Sequence, residues 1–188
     1  MGGKDRFQGR FEEVLAAARR GEGWARERIF VALAPVVAGY LRGRGSVEPD
    51  DLTSEVFVGV LRNLEDFEGD EERFRSWVFT IAYRRLLDER RRLWRRPVFE
   101  PLEDAPELPA PDDVEGAVGG SLASEQVRAL CQRLVPDQRD VLLLRLLGRL
   151  TVDEIAVALG KSSGAVKSLQ RRGFVAIGRI IEREGVPL

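Results

Sequence analysis

Apolar residues recur every three or four positions along most of this chain, the spacing that predicts amphipathic helices. The first half contains four such segments, at 11–18, 24–41, 51–64 and 74–94. Breaks at Gly21 and Pro49 separate helices, and helical spacing returns over 127–184. Because no segment shows the alternation of a half-buried strand, the pattern predicts an all-α fold.

The helical pattern stops between residues 97 and 126. This segment contains five prolines and eight acidic residues but no lysine or arginine. Such a composition buries too little apolar surface to fold alone and favours an extended linker. The chain is therefore predicted to form two small helical domains, at 7–96 and 127–184, joined by an acidic Pro-rich linker at 97–126.

Two short helices joined by a tight turn are predicted near the C-terminus. Thr151 and Glu154 have the spacing of a capping box at the start of the first helix. Gly160 suits the left-handed residue that ends it. Ser162 or Ser163 can cap the second helix.

The second of these helices has one apolar and one polar face. Val166, Leu169, Gly173 and Ile177 form its predicted buried stripe. Lys167, Gln170 and Arg171 are left on the outer face. This pattern is typical of a helix-turn-helix, whose second helix lies in the major groove of DNA. An ordinary helical hairpin shares the spacing, so this segment alone leaves both interpretations open.

Segment 73–96 is strongly basic. It holds nine arginines against two acidic residues, a net charge of +7 (nine minus two). So many like charges in one helix repel one another unless a polyanion neutralises them, which favours a nucleic-acid contact. Phe74, Trp77 and Ile81 have helical spacing and are predicted to be core residues rather than base-stacking ones.

Composition excludes several kinds of site. With no histidine and a single cysteine, the chain has no His-based nucleophile pair, no internal disulfide and no thiolate zinc site. Cys131 is expected to be a buried structural thiol. No apolar run reaches membrane-spanning length and the N-terminus lacks a signal-peptide core, so we expect a cytoplasmic protein without membrane insertion.

Three segments, taken together, carry a family resemblance. They read DDLTSEVFVGVLRNL at 50–64, FRSWVFTIAYRRLLD at 74–88, and LVPDQRDVLLLR at 134–145, continuing through the helix-turn-helix. In order and spacing they resemble the extracytoplasmic-function (ECF) group of bacterial RNA polymerase sigma factors. The resemblance implies a non-enzymatic factor without a cofactor that directs promoter-specific initiation and assists promoter melting.

The resemblance also implies partners and site residues. The partners would be core RNA polymerase (its beta-prime clamp helices and beta flap), promoter DNA and an anti-sigma factor. The polymerase-binding residues would be Asp51, Leu52, Glu55, Val58 and Arg62. The minus-ten DNA-binding residues would be Phe67, Arg73, Tyr83, Arg84, Arg85, Asp88, Arg91 and Arg92. The minus-thirty-five DNA-binding residues would be Ser163, Lys167, Gln170, Arg171 and Arg172.

Two other functions stay open from the residues alone. A stand-alone helix-turn-helix repressor or activator would use the same C-terminal helices, and would bind duplex DNA as a dimer without polymerase. An enzyme could use the carboxylates of Asp50, Asp51 and Glu55, for example with magnesium. Acidic residues are ordinary at a helix start, however, because they complement the helix dipole.

Overall fold

A computed structural model describes residues 7, 9–95 and 129–184 of the chain. All regular secondary structure in these ranges is helical. The helices are α1 (Phe11–Arg19), α2 (Gly23–Gly43), α3 (Pro49–Arg62), α4 (Glu71–Arg95), α5 (Pro136–Leu146), α6 (Val152–Leu159) and α7 (Ser163–Glu184). The all-α prediction is confirmed, whereas the predicted linker lies outside the described residues.

The first four helices begin and end where local chemistry favours it. Pro49 occupies the first turn of α3, where its missing N–H costs nothing, and Asp50 and Asp51 follow at the positive end of the helix dipole. Pro35 lies inside α2, yet the helix continues through it to Gly43. The predicted segments 24–41 and 51–64 therefore correspond to helices, with ends shifted by about two residues.

Aromatic side chains fill one end of the first domain. The ring centroid of Phe67 lies 5.1 Å from that of Phe74 and 5.2 Å from that of Trp77. The ring centroids of Phe11 and Phe74 are 5.4 Å apart. Phe74 is fully buried, while Trp77 and Ile81 are half-buried against the core. The prediction that these α4 residues belong to the core is confirmed.

The C-terminal domain has the predicted two-helix motif. The Glu154 N–H donates to Thr151 Oγ1 (3.3 Å) and the Thr151 N–H to Glu154 Oε2 (2.6 Å), which completes the capping box. Gly160 adopts a left-handed conformation with φ of +63°. The Ala165 N–H donates to the Ser162 hydroxyl (3.2 Å), so Ser162 caps α7.

The two domains pack against each other. Helix α4 contacts α6, and α2 contacts α5, so that one continuous core includes residues of both domains. Gly148, between α5 and α6, lies so close to the ring of Phe79 on α4 that an added Cβ would be 3.2 Å from it. Cys131 is buried, as predicted, and burial raises the pKa of its thiol to about 11.

Candidate polymerase and nucleic-acid interfaces

The outer face of α3 presents four of the five predicted polymerase-binding residues. Asp51, Glu55, Val58 and Arg62 are all exposed, and their spacing places them on one side of the helix. Val58 is 46% exposed, a large apolar side chain without cover. The surface therefore combines both charge signs with an apolar centre, a composition suited to a protein partner.

Leu52 does not belong to this surface. Its side chain is 3% exposed and packs in the domain core with Val56 and Val60. Because α3 turns the Leu52 side chain inward, this structure does not present it to a partner. Its helical spacing with Val56 and Val60 already indicated an inner position.

The predicted minus-ten residues of the basic helix α4 lie on several of its faces. Arg84, Asp88 and Arg91 are exposed along one stripe, with an Arg91 Nη1 to Asp88 Oδ1 distance of 3.3 Å. Arg85 lines the groove between α3 and α4. Arg92 extends toward α3, where its Nη2 lies 3.7 Å from Glu55 Oε2. The predicted DNA set therefore includes two arginines that lie beside the α3 surface.

The loop before α4 keeps its aromatic residue inside. Phe67 is only 7% exposed, because its ring belongs to the aromatic cluster with Phe74 and Trp77. The Arg19 guanidinium donates to the Phe67 carbonyl and, at 3.2 Å, to that of Leu64, which fixes the loop. The prediction that the Phe67 side chain contacts DNA does not fit this conformation.

Arg73, at the start of α4, remains exposed. Its N–H donates to Asp70 Oδ1 at 2.9 Å.

Helix α7, the second helix of the two-helix motif, presents most of its predicted DNA-binding residues to solvent. Lys167, Arg171 and Arg172 are exposed, and Gln170 is half-buried. Ser163 differs, since its hydroxyl donates to Asp153 Oδ1 at 2.6 Å and ties the two helices of the motif together. The exposed positions are one turn apart and form a basic face suited to phosphate and base-edge contacts.

Tyr83, also predicted to face the minus-ten element, lies at the boundary between the domains. It is half-buried and packs against the common core. Burial raises the pKa of its phenol, with a further increase from the carboxylate of Asp140 and opposing effects of Arg44 and Lys161. Charged groups of both domains therefore influence Tyr83.

A buried polar cluster between the domains was not indicated by any local sequence signal. Arg44, at the end of α2, is 2% exposed and forms an ion pair with Asp140 of α5, which is 4% exposed. The Tyr40 hydroxyl donates to Asp140 Oδ1 at 3.2 Å. Burial raises the pKa of Asp140 to about 6 despite the opposing charge of Arg44. Nothing in either local segment reveals this contact, because its partners are about a hundred positions apart.

Two further residues of α4 hold this helix in place. Arg90 Nη2 donates to the Arg44 carbonyl at 2.7 Å, and the Ser46 hydroxyl donates to Glu89 Oε1 at 2.8 Å. Some of the positive charge of α4 is therefore used within the protein. The described ranges contain no cluster of three or more His, Cys, Asp or Glu side chains able to hold a metal ion. Nor does any described helix have the length and apolarity needed to span a membrane.

Both domains are similar in sequence to known protein families. Residues 29–96 match the Sigma-70 region 2 family, and residues 124–177 match Sigma-70 region 4. The chain is 31% identical over 182 residues to the ECF RNA polymerase sigma factor BldN of Streptomyces coelicolor, covering 94% of this chain and 68% of that protein. It is 30% identical over 182 residues to the ECF sigma factor ShbA of Streptomyces griseus subsp. griseus, covering 90% of this chain and 94% of that one.

A solved structure shares the fold. CnrH, in its complex with the cytosolic domain of CnrY, superposes with a TM-score of 0.64 at 20% identity, over 93% of this chain and 98% of that one. Together with the two domain matches and the relatives at 30% identity or more, the order of the helices identifies the protein: it belongs to the ECF group of RNA polymerase sigma factors.

Proposed function

We propose that this protein binds core RNA polymerase through the outer face of α3 and directs it to promoters read by α4 and α7. The observation that carries the proposal is the presence of two exposed basic surfaces on separate domains, beside a distinct mixed surface on α3. A stand-alone repressor needs only a basic DNA-binding surface and not the mixed surface on α3. The factor performs no chemistry and acts in the cytoplasm, where its polymerase is found.

The proposed dock for the beta-prime clamp helices is formed by Asp51, Glu55, Val58 and Arg62. Arg85 and Arg92 join it, because both lie along the groove between α3 and α4. Charged residues around an exposed apolar centre give specificity and a rapid encounter, while the apolar centre contributes affinity.

The two DNA surfaces have different tasks. Lys167, Arg171 and Arg172 on α7 are placed to contact the minus-thirty-five element in the major groove, with Gln170 beside them. Arg84 and Arg91 on α4 are placed to hold the phosphates of the minus-ten element.

We expect an anti-sigma factor to be one of the partners of this protein and to cover these surfaces. The structure of the similar protein CnrH contains the cytosolic domain of CnrY. A pull-down from unstressed cells of the source organism tests this expectation. Recovery of an inhibitory binder supports it, and the absence of one counts against it.

Polymerase binding by paired variants tests the proposal. Asp51→Ala with Glu55→Ala should weaken co-purification with core polymerase about tenfold or more. The matched control, Glu12→Ala with Glu27→Ala, removes two exposed carboxylates from α1 and α2 and should leave binding unchanged. If both double variants bound polymerase equally well, α3 would not be the docking surface.

A further inference from the structure

The contact between the two domains contains a charged pair that is fully removed from water. Arg44 comes from the first domain and Asp140 from the second, with exposures of 2% and 4%. The Tyr40 hydroxyl, also fully buried, donates to the same carboxylate. Because the partners come from different domains, separating the domains would leave Arg44 and Asp140 each without the other.

The cluster is incompletely satisfied. Within the described ranges Arg44 Nη1 is buried and has no hydrogen-bond partner. A buried ion pair of this kind adds little net stability, since desolvation offsets the attraction, but it fixes which surfaces meet. The ion pair therefore fixes the register of the interface, while the apolar core that both domains share stabilises it.

The closed arrangement cannot serve both DNA elements at once. Helix α4, which carries most of the minus-ten residues, contacts α6, and only the short turn that contains Lys161 separates α6 from α7. Lys167 follows only about one helical turn into α7, roughly 6 Å along its axis. The minus-ten and minus-thirty-five elements are about 25 base pairs apart, or roughly 85 Å of B-form DNA. The two surfaces must separate before both can be occupied.

We propose that the Arg44–Asp140 pair, together with Tyr40, is an interdomain latch that holds this sigma factor in a closed state unable to bind both promoter elements. Opening the latch releases α7 with its domain and uncovers Tyr83. The inference rests on the proposed function for its consequence, whereas the closed state itself is testable without polymerase or DNA.

Small-angle X-ray scattering and tyrosine nitration of the full chain test the latch. A compact chain of this length has a radius of gyration of about 16 Å. The chain has two tyrosines, both at the interface, so tetranitromethane followed by peptide mass spectrometry reports directly on closure. In Asp140→Ala, which removes the carboxyl oxygen that both Arg44 and Tyr40 contact, we expect the radius of gyration to rise by roughly 5 Å and Tyr40 nitration to accelerate several-fold.

Two matched variants separate the latch from general charge loss. Asp137→Ala removes an exposed carboxylate three residues away on α5 and should leave both readouts at the wild-type value. Arg44→Met with Asp140→Leu replaces the pair by apolar side chains and should keep the chain closed. If Asp140→Ala loses its helical circular dichroism, it has unfolded and cannot report on closure. Arg44→Ala, which breaks the same pair from the first domain, is then measured by scattering and nitration in its place.

The proposal is overturned if a folded Asp140→Ala or Arg44→Ala variant keeps the wild-type radius of gyration and Tyr40 protection. It is equally overturned if the wild-type chain already scatters as two separated bodies. A chain that fails to bind polymerase but behaves as expected in these measurements would contradict the proposed function and leave the latch intact.

Discussion

Helices α4 and α7 both carry clustered basic residues, yet the fold uses the two helices differently. Helix α4 packs between α3 and α6, and three of its arginines turn toward other parts of the protein: Arg85, Arg90 and Arg92. Helix α7 packs against α5 and α6, and Lys167, Arg171 and Arg172 remain exposed. A high local charge therefore indicates a nucleic-acid surface only where packing leaves that charge accessible.

The largest expected effect concerns the exposed face of α7. Lys167→Ala with Arg171→Ala should weaken holoenzyme binding to its promoters at least tenfold and reduce the salt dependence by about two phosphate contacts. The control is Arg179→Ala with Arg183→Ala, which removes the same charge from exposed positions farther along the helix. Equal losses from both pairs, in a titration at several salt concentrations, would show a bulk charge effect and no recognition face.

The second prediction compares two pairs of arginines on α4. Arg84→Ala with Arg91→Ala should reduce the yield of open promoter complexes about tenfold, since these side chains face outward, and should leave polymerase affinity unchanged. Arg85→Ala with Arg92→Ala should instead weaken polymerase binding, because these residues lie beside Glu55. If both pairs affected the same step, the division of α4 into two surfaces would be wrong.

The packing of α7 can be tested with two glycines of the same helix. An added Cβ at Gly173 would lie 2.9 Å from the buried Leu142 side chain, so Gly173→Ala should lower the free energy of unfolding by about 1–3 kcal/mol. Gly164 has nothing within 4 Å, and Gly164→Ala should be neutral or stabilising by up to about 1 kcal/mol. Urea unfolding measures both, and equal effects would contradict the close contact between α7 and α5.

The smallest expected effect is the pH dependence of the folding stability that comes from the buried carboxyl of Asp140. The pKa of Asp140 is raised to about 6 because burial outweighs the attraction of Arg44 and Arg90 and the Tyr40 hydrogen bond, with Asp137 raising it further. A carboxyl with a raised folded-state pKa stabilises the folded form below its unfolded pKa and loses this contribution as pH rises through 6. Lowering the pH from 7 to 5 should therefore stabilise the wild type by about 1 kcal/mol relative to Asp140→Asn.

Thermal unfolding of the two proteins at matched pH values measures that difference. An opposite slope would mean that the attraction of Arg44 exceeds the cost of burial.

Local chemistry made much of the fold predictable. The capping box at Thr151, the left-handed Gly160 and the helical stripes all depend on residues a few positions apart, and each is confirmed. Two predicted site residues, Leu52 and Phe67, are buried in the structure, and for a common reason. Both came from the family resemblance, which marks a segment as functional without separating side chains that face a partner from those that support the helix or loop.

The interdomain contact could not be predicted in this way. Arg44 and Asp140 lie in separate helical segments, and each residue alone is typical of a solvated helix surface. Only the folded arrangement removes both from water. The distribution of arginines on α4 was hidden for a similar reason, since Glu55 and the Arg44 carbonyl are distant in sequence.

Run-off transcription with reconstituted holoenzyme tests the central claim most directly. The purified chain is combined with bacterial core RNA polymerase and fragmented genomic DNA of the source organism. We expect stable association and discrete new transcripts that disappear with Asp51→Ala and Glu55→Ala but persist with Glu12→Ala and Glu27→Ala. Sequence-specific binding to duplex DNA without any polymerase association would instead show that this chain acts as a stand-alone regulator.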